Sequence, residues 1–158
     1  MTLDVFTLVH ILISLAGIAS GLVVVGGWLA GKASAGWTAF FLATTVATSA
    51  TGFFFPYRGF TPALAVGILS LILLAVAIYA LYVRKLARAW HRTYLVTALA
   101  ALYLNFFVLV AQLFQKTPAL KELAPTQSEP PFGLAQGLVL VTFIVLGIGA
   151  FRRFRPTG

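Results

Sequence analysis

A chain of 158 residues that is 61% hydrophobic and only 9% charged departs far from a soluble domain, which is nearer half apolar and a quarter charged. It cannot cover its apolar surface with polar groups in water, so a soluble globular fold is excluded and an all-α integral membrane protein is expected. The formal charge of +8 and the absence of cysteine add two constraints: a strongly basic surface, and no disulfide, thiolate metal site or thiol redox chemistry.

Crossing a bilayer takes about 20 apolar residues, and five stretches qualify, at roughly 3–29, 37–55, 63–83, 94–114 and 132–151. They are continuously apolar, as helices are and alternating barrel strands are not. One domain, a five-helix bundle covering 1–158, follows. The first stretch opens MTLDVF, with an acid where a secretory signal carries basic residues, and its apolar run is too long for a signal. It is read as a retained first span. His10, Ser14, Gly17 and Gly21 fall at i, i+4, i+7 and i+11, on one helical face. His10 has the chemistry of a proton relay, a metal ligand or a haem ligand, or of a plain hydrogen-bonding residue beside Ser14. A bis-histidine haem needs a second histidine at similar depth. His91 falls at the opposite end, so haem through His10 is expected only in a symmetric dimer, and otherwise no cofactor.

The second stretch carries Thr44, Thr45, Thr48, Ser49 and Thr51. It ends in TGFFFPYRGFTP, where Pro56 stops the helix and Arg58 is placed to meet Glu129 or a lipid headgroup. Thr61-Pro62 reads as a helix start, with a cap residue before a proline at the first helical position. Gly31, Gly36 and Gly59 mark turns. The third stretch has little polarity beyond Ser70 and its tyrosines and is expected to face lipid or a neighbouring subunit. Behind it come Arg84, Lys85, Arg88 and Arg92. In the fourth stretch Tyr94, Thr97, Asn105, Gln112 and Gln115 recur largely along one stripe. Asn105 lies close to the midplane, about 15 Å from the outer end at 1.5 Å per residue.

The loop at 116–131 begins with a second Thr-Pro start, Thr117-Pro118, and a short amphipathic helix that Pro125 ends. Thr126-x-x-Glu129 has the form of a capping box, beside Pro130 and Pro131, which lead into the last stretch. Gln127 and Ser128 have no structural duty in that reading. With Glu129 and Arg58 they are candidates for a lid or a partner contact, the alternative being a simple connector. The fifth stretch adds Gln136, one turn below its outer end. Gly17-x-x-x-Gly21 and Gly133-x-x-x-Gly137 both have the small-xxx-small form that allows close helix approach, inside one chain or between copies.

Charge sets the expected orientation, because basic residues stay on the cytoplasmic side. The side opposite the N-terminus holds Lys32, Arg84, Lys85, Arg88, Arg92, Arg152, Arg153 and Arg155, whereas Arg58, Lys116 and Lys121 and all three acids fall on the N-terminal side. The N-terminus is therefore expected outside and the C-terminus in the cytoplasm, with Trp28, Trp37 and Trp90 near the inner interface. Those eight cations, Lys32 aside, lie in one short loop and a tail. They suit anionic headgroups, each worth about 1 kcal/mol near the surface, and no nucleic-acid partner is expected.

Polar residues at membrane depth mark function. His10, Ser14, Thr48, Ser49, Gln112, Gln115 and Gln136 all fall in the outer half, with Asn105 as a floor, and together they predict a ligand pocket open to the outside. The inner half is expected to have little to match them. No catalytic constellation, metal cluster or phosphate loop is present. An enzyme would have to use an outer-surface group such as Asp4, His10 or Glu129 on a lipid-borne substrate. Two non-enzymatic classes fit better: a binder or transporter of a small neutral or amphiphilic molecule, or an accessory subunit of a larger membrane (for example respiratory) complex whose polar residues are interhelical glue.

Overall fold

A computed structural model describes residues 4–56 and 59–154. Within them the secondary structure is helical, with no strand: α1 (Val5–Leu29), α2 (Ala35–Gly52), α3 (Pro62–Ile78, extended by a π-helical segment Tyr79–Val83), α4 (Trp90–Lys116), α5 (Pro118–Leu123) and α6 (Pro130–Arg153). Four helices, Val5–Leu29, Pro62–Val83, Trp90–Lys116 and Pro130–Arg153, are long and apolar enough to cross a membrane. The fifth long helix, α2, has 18 residues and is diluted by hydroxyls. Thr44, Thr45, Thr48 and Thr51 each turn the hydroxyl back on a carbonyl one turn earlier, which hides a polar group within its own helix.

The starts are built as their residues dictate. Asp4 accepts from the Thr7 N–H at 2.6 Å, and that bond holds its exposed carboxyl below the ordinary carboxylate pKa. Ser34 caps α2 and Thr61 caps α3, the latter with Pro62 next in line. Thr117 differs from that expectation: it occupies the cap position of α5, but its side chain makes no capping bond. Gly31 and Gly59 take positive φ in turns, whereas Gly36 lies in the first turn of α2. The turn after the π segment was not legible in advance. Lys85, Leu86 and Arg88 all carry positive φ, a conformation usually left to glycine.

Successive long helices run antiparallel. α1 packs on α2, α2 on α3, α3 on α4 and α4 on α6, and α1 returns against both α4, which closes a ring of four, and α6. Gly17 allows the close approach of α1 to α2, and Gly21 that of α1 to α2 and α4 together. A Cβ at Gly17 would sit 3.3 Å from the Thr45 hydroxyl, and one at Gly21 would lie 2.5 Å from Leu102 and 2.9 Å from Phe41. By contrast a Cβ at Gly133 or Gly137 would meet nothing within 4 Å, so the second small-xxx-small pair faces outward on α6.

Away from the N-terminal end, the bundle closes into an aromatic core. Trp28 stacks edge-on to Tyr94 and Phe154, with ring centroids 5.7 and 6.1 Å apart. Trp28, Phe41, Leu95, Ala98 and Leu102 are all fully buried. Polar groups are buried here too, contrary to the expected contrast between halves. Thr97 bonds back to Thr93, Ser20 reaches the Gly17 carbonyl, and the Tyr94 hydroxyl lies beside the Thr38 and Trp28 side chains. At the extreme of this end, Arg84, Lys85, Arg88, Arg92, Arg152 and Arg153 are exposed, with the Arg84 guanidinium 5.4 Å from the Trp90 ring. Arg58 and Arg155 lie outside the described residues.

Candidate functional site

At the N-terminal end the four-helix ring does not close. It surrounds a cavity of about 550 Å³ lined by α1, α2, α3 and α4, within the 300–1,000 Å³ range of small-molecule sites. On α1 the lining runs from Thr7 to Ile18 and on α4 from Asn105 to Lys116, so at 1.5 Å per residue the cavity is roughly 16 Å deep. Its walls are mainly aliphatic, and among the described residues no acidic side chain lines it and Lys116, at the mouth, is the one lysine or arginine that does.

Six of the eight residues expected to form a pocket meet in this cavity: His10, Ser14, Thr48, Ser49, Asn105 and Gln112. Two do not. Gln115 is exposed outside the lining. Gln136 is buried between α6 and α4, where its amide donates to the Phe107 carbonyl at 3.1 Å. The expected lid also lies elsewhere. Gln127 donates to the Ala111 carbonyl at 2.7 Å, one turn along α4 from the carbonyl that Gln136 occupies. Thus two glutamines in succession tie the last helix and its leading turn to α4. Glu129 accepts from the Thr126 hydroxyl at 2.7 Å, and from the Thr126 and Ser128 backbone N–H groups. The Thr126 hydroxyl bond is the main reason its carboxyl is held below the usual range. This carboxylate closes a turn and does not complete a capping box, for α6 has no side-chain cap. Neither Gln127, Ser128 nor Glu129 lines the cavity.

α3 supplies the wall that its sequence did not announce. Ala63, Val66, Gly67 and Ser70 line the cavity, and Leu74, Ala77 and Ala80 continue the same stripe into the core. Small residues at i, i+4, i+7 and beyond were the available signal. The helix thus builds the site with one face, while Ile68, Leu69 and Ile72 remain on its exposed face.

The polar lining divides into partnered and free groups. Ser14 donates to the His10 carbonyl and Thr48 to that of Thr44. His10 Nδ1 lies 2.7 Å from the Thr51 hydroxyl, whose hydrogen is directed to the Ala47 carbonyl at 2.7 Å. The ring therefore donates from Nδ1, and in the neutral form Nε2 keeps its lone pair. Its edge rests on Phe55. Ser49 and Ser70, both more than nine-tenths buried, make no protein hydrogen bond, and the buried Asn105 Nδ2 has none either. These three come from α2, α3 and α4. Ser49 and Ser70 each sit one turn below the level where the Phe53 ring meets Gly67. Buried polar groups are normally satisfied, and those that are not require an explanation.

His10 and His91 stand at opposite ends of the molecule; His91 Nδ1 donates to the Arg88 carbonyl. Among the described residues no group of three metal-ligating side chains converges. No protein family, curated protein or solved structure matches this chain.

Proposed function

We propose that this chain is a five-span protein of a cell's inner membrane, N-terminus outside and C-terminus cytoplasmic, that binds or carries a small neutral or amphiphilic molecule in the α1–α4 cavity. The observation behind this reading is the set Ser49, Ser70 and Asn105, which line one cavity of ligand size: two buried serines that make no protein hydrogen bond and a half-buried asparagine whose buried Nδ2 has no partner. Helix-stabilising hydroxyls bond to their own backbone, as Ser14 and Thr48 do. Groups left free facing a cavity are arranged for an occupant, because a buried amide without a partner costs about 1–3 kcal/mol. The exposed cations at the far end favour the orientation, with anionic headgroups as their partners. α2 spans on this reading because its threonines are internally satisfied.

The test is to purify the protein in mild detergent, extract what it holds and identify it by mass spectrometry. Asn105→Leu and Gln112→Leu should remain folded, and the former should lose the bound molecule by about tenfold or more, the equivalent of one buried hydrogen bond. Retention of the molecule at wild-type occupancy by Asn105→Leu would refute the cavity as its site. A second reading is favoured by α6, whose outward face carries Gly133 and Gly137 with open space before them and Leu134 and Leu138 about 70% exposed. That face suits a helix of another copy or of a larger membrane complex. In that case the purified chain holds no small molecule and is stable only with its partner.

A further inference from the structure

The cavity's shape bears on how an occupant reaches it, and on what kind of molecule that occupant is. α1 and α4 touch tightly at one level, where Gly21 lies against Leu102, and Leu102 is 0% exposed. Leu109 and Leu113 follow Leu102 at i+7 and i+11, on the same helical face. By Leu113 exposure has risen to 46%. α1 shows the matching change, from Ile18 at 8% to Leu15 at 45%. All four of Ile18, Leu15, Leu109 and Leu113 line the cavity. No hydrogen bond or ring contact joins α1 to α4 above the Gly21 level among the described residues. The two helices therefore separate toward the N-terminal end and leave a slot with leucines on both edges. Leu15 is the eleventh residue of α1, about 15 Å along it. The slot therefore reaches the depth of acyl chains and is not confined to the aqueous mouth.

Resting on the five-span cavity reading above, we infer that the cavity is loaded sideways from the bilayer through the α1–α4 slot. Its occupant is an uncharged single-chain amphiphile, with a hydroxyl or carbonyl head at Ser49, Ser70 and Asn105 and its apolar chain leaving between Leu15 and Leu113. Three features select this chemistry. The polar groups at the floor are two hydroxyls without a protein partner and the Asn105 side-chain amide, which complement a neutral oxygen. Among the described residues no lysine or arginine lies at that depth to offset a carboxylate, whose burial unpaired is far costlier than that of a hydroxyl. The edges of the slot are aliphatic, which suits a chain dissolved in lipid and gives a polar solute no handhold.

The test uses protein in phosphatidylcholine nanodiscs containing a diazirine-bearing hexadecanol, with photolabelled peptides mapped by mass spectrometry. The corresponding diazirine palmitate is the charged comparison. Hexadecanol should label peptides from α1 and α4. Asn105→Leu should reduce that labelling about tenfold. Leu15→Trp combined with Leu113→Trp, which fills the slot without touching the floor, should slow labelling severalfold after the probe is added. Should Asn105→Leu reduce labelling while the double tryptophan variant loads at the wild-type rate, lateral loading is wrong and the cavity reading stands. Stronger labelling by palmitate overturns the uncharged head. Labelling indifferent to Asn105→Leu removes the cavity reading itself.

Discussion

The two ends of this bundle use similar residues to opposite effect. At the basic end, Trp28, Tyr94 and Phe154 fill the space between α1, α4 and α6, and the buried polar groups there are satisfied or sit beside one another. At the N-terminal end α6 stays tied to α4 while the ring of α1 to α4 opens, and Ser49, Ser70 and the Asn105 amide nitrogen are left without a protein partner around an open volume. The hinge between the regimes is the Gly21–Leu102–Phe41 contact. Without a hydrophobic drive between helices in lipid, association rests on packing and close approach. Stability therefore belongs to the closed end, which frees the open end to keep polar groups unpaired.

The largest effect that could break this contrast is a truncation in the closed end. Trp28→Ala removes a side chain that is 2% exposed and anchors two ring contacts. It should cost about 3–5 kcal/mol, read by denaturant titration in micelles. A cost below about 1 kcal/mol would show that stability is not concentrated there.

The next effect concerns the hinge. Gly21→Val places atoms within 3 Å of Leu102 and Phe41. Leu102 can shift only where it has space, and it is fully buried, so overpacking of about 1–3 kcal/mol is expected. Because α1 would be pushed from α4 at its point of closest approach, the slot should widen as well. Gly133→Val or Gly137→Val, on the open face of α6, should leave the isolated chain unchanged by thermal melting. A loss there as large as that of Gly21→Val would mean that the α6 face is covered within a homo-oligomer.

Much of this was legible in the sequence, for physical reasons that differ by element. Long apolar runs can only be helices in lipid, so α1, α3, α4 and α6 were readable within a few residues. Three helices declared their cavity residues through costly polar side chains: His10 and Ser14, Thr48 and Ser49, Asn105 and Gln112. α3 did not, because its contribution is smallness at Ala63 and Gly67 and a single serine, a pattern that also describes a lipid-facing helix. Gln136 and Gln127 looked like pocket or lid residues because polarity marks them equally. Only the register of α4 shows that they face its Phe107 and Ala111 carbonyls, residues outside the cavity lining. The left-handed Lys85, Leu86 and Arg88 carry no glycine to announce them.

The smallest expected effect is the sharpest discriminator. Ser70 is 97% buried by its 3% exposure, and a serine at that depth ordinarily contributes a hydrogen bond worth about 0.6 kcal/mol within a membrane bundle. Here the hydroxyl has no protein partner and its residue lines the cavity, so Ser70→Ala breaks no protein bond. Stability should stay within about 0.5 kcal/mol of wild type or rise slightly, in the same micelle titration. Thr97→Ala in the closed end, where the hydroxyl is bonded to Thr93, is the matched control and should be mildly destabilising. The floor of the open end would be structural if Ser70→Ala cost more than Thr97→Ala. With the expected order, Ser70 contributes nothing to the empty fold and its hydroxyl is free for whatever enters between α1 and α4.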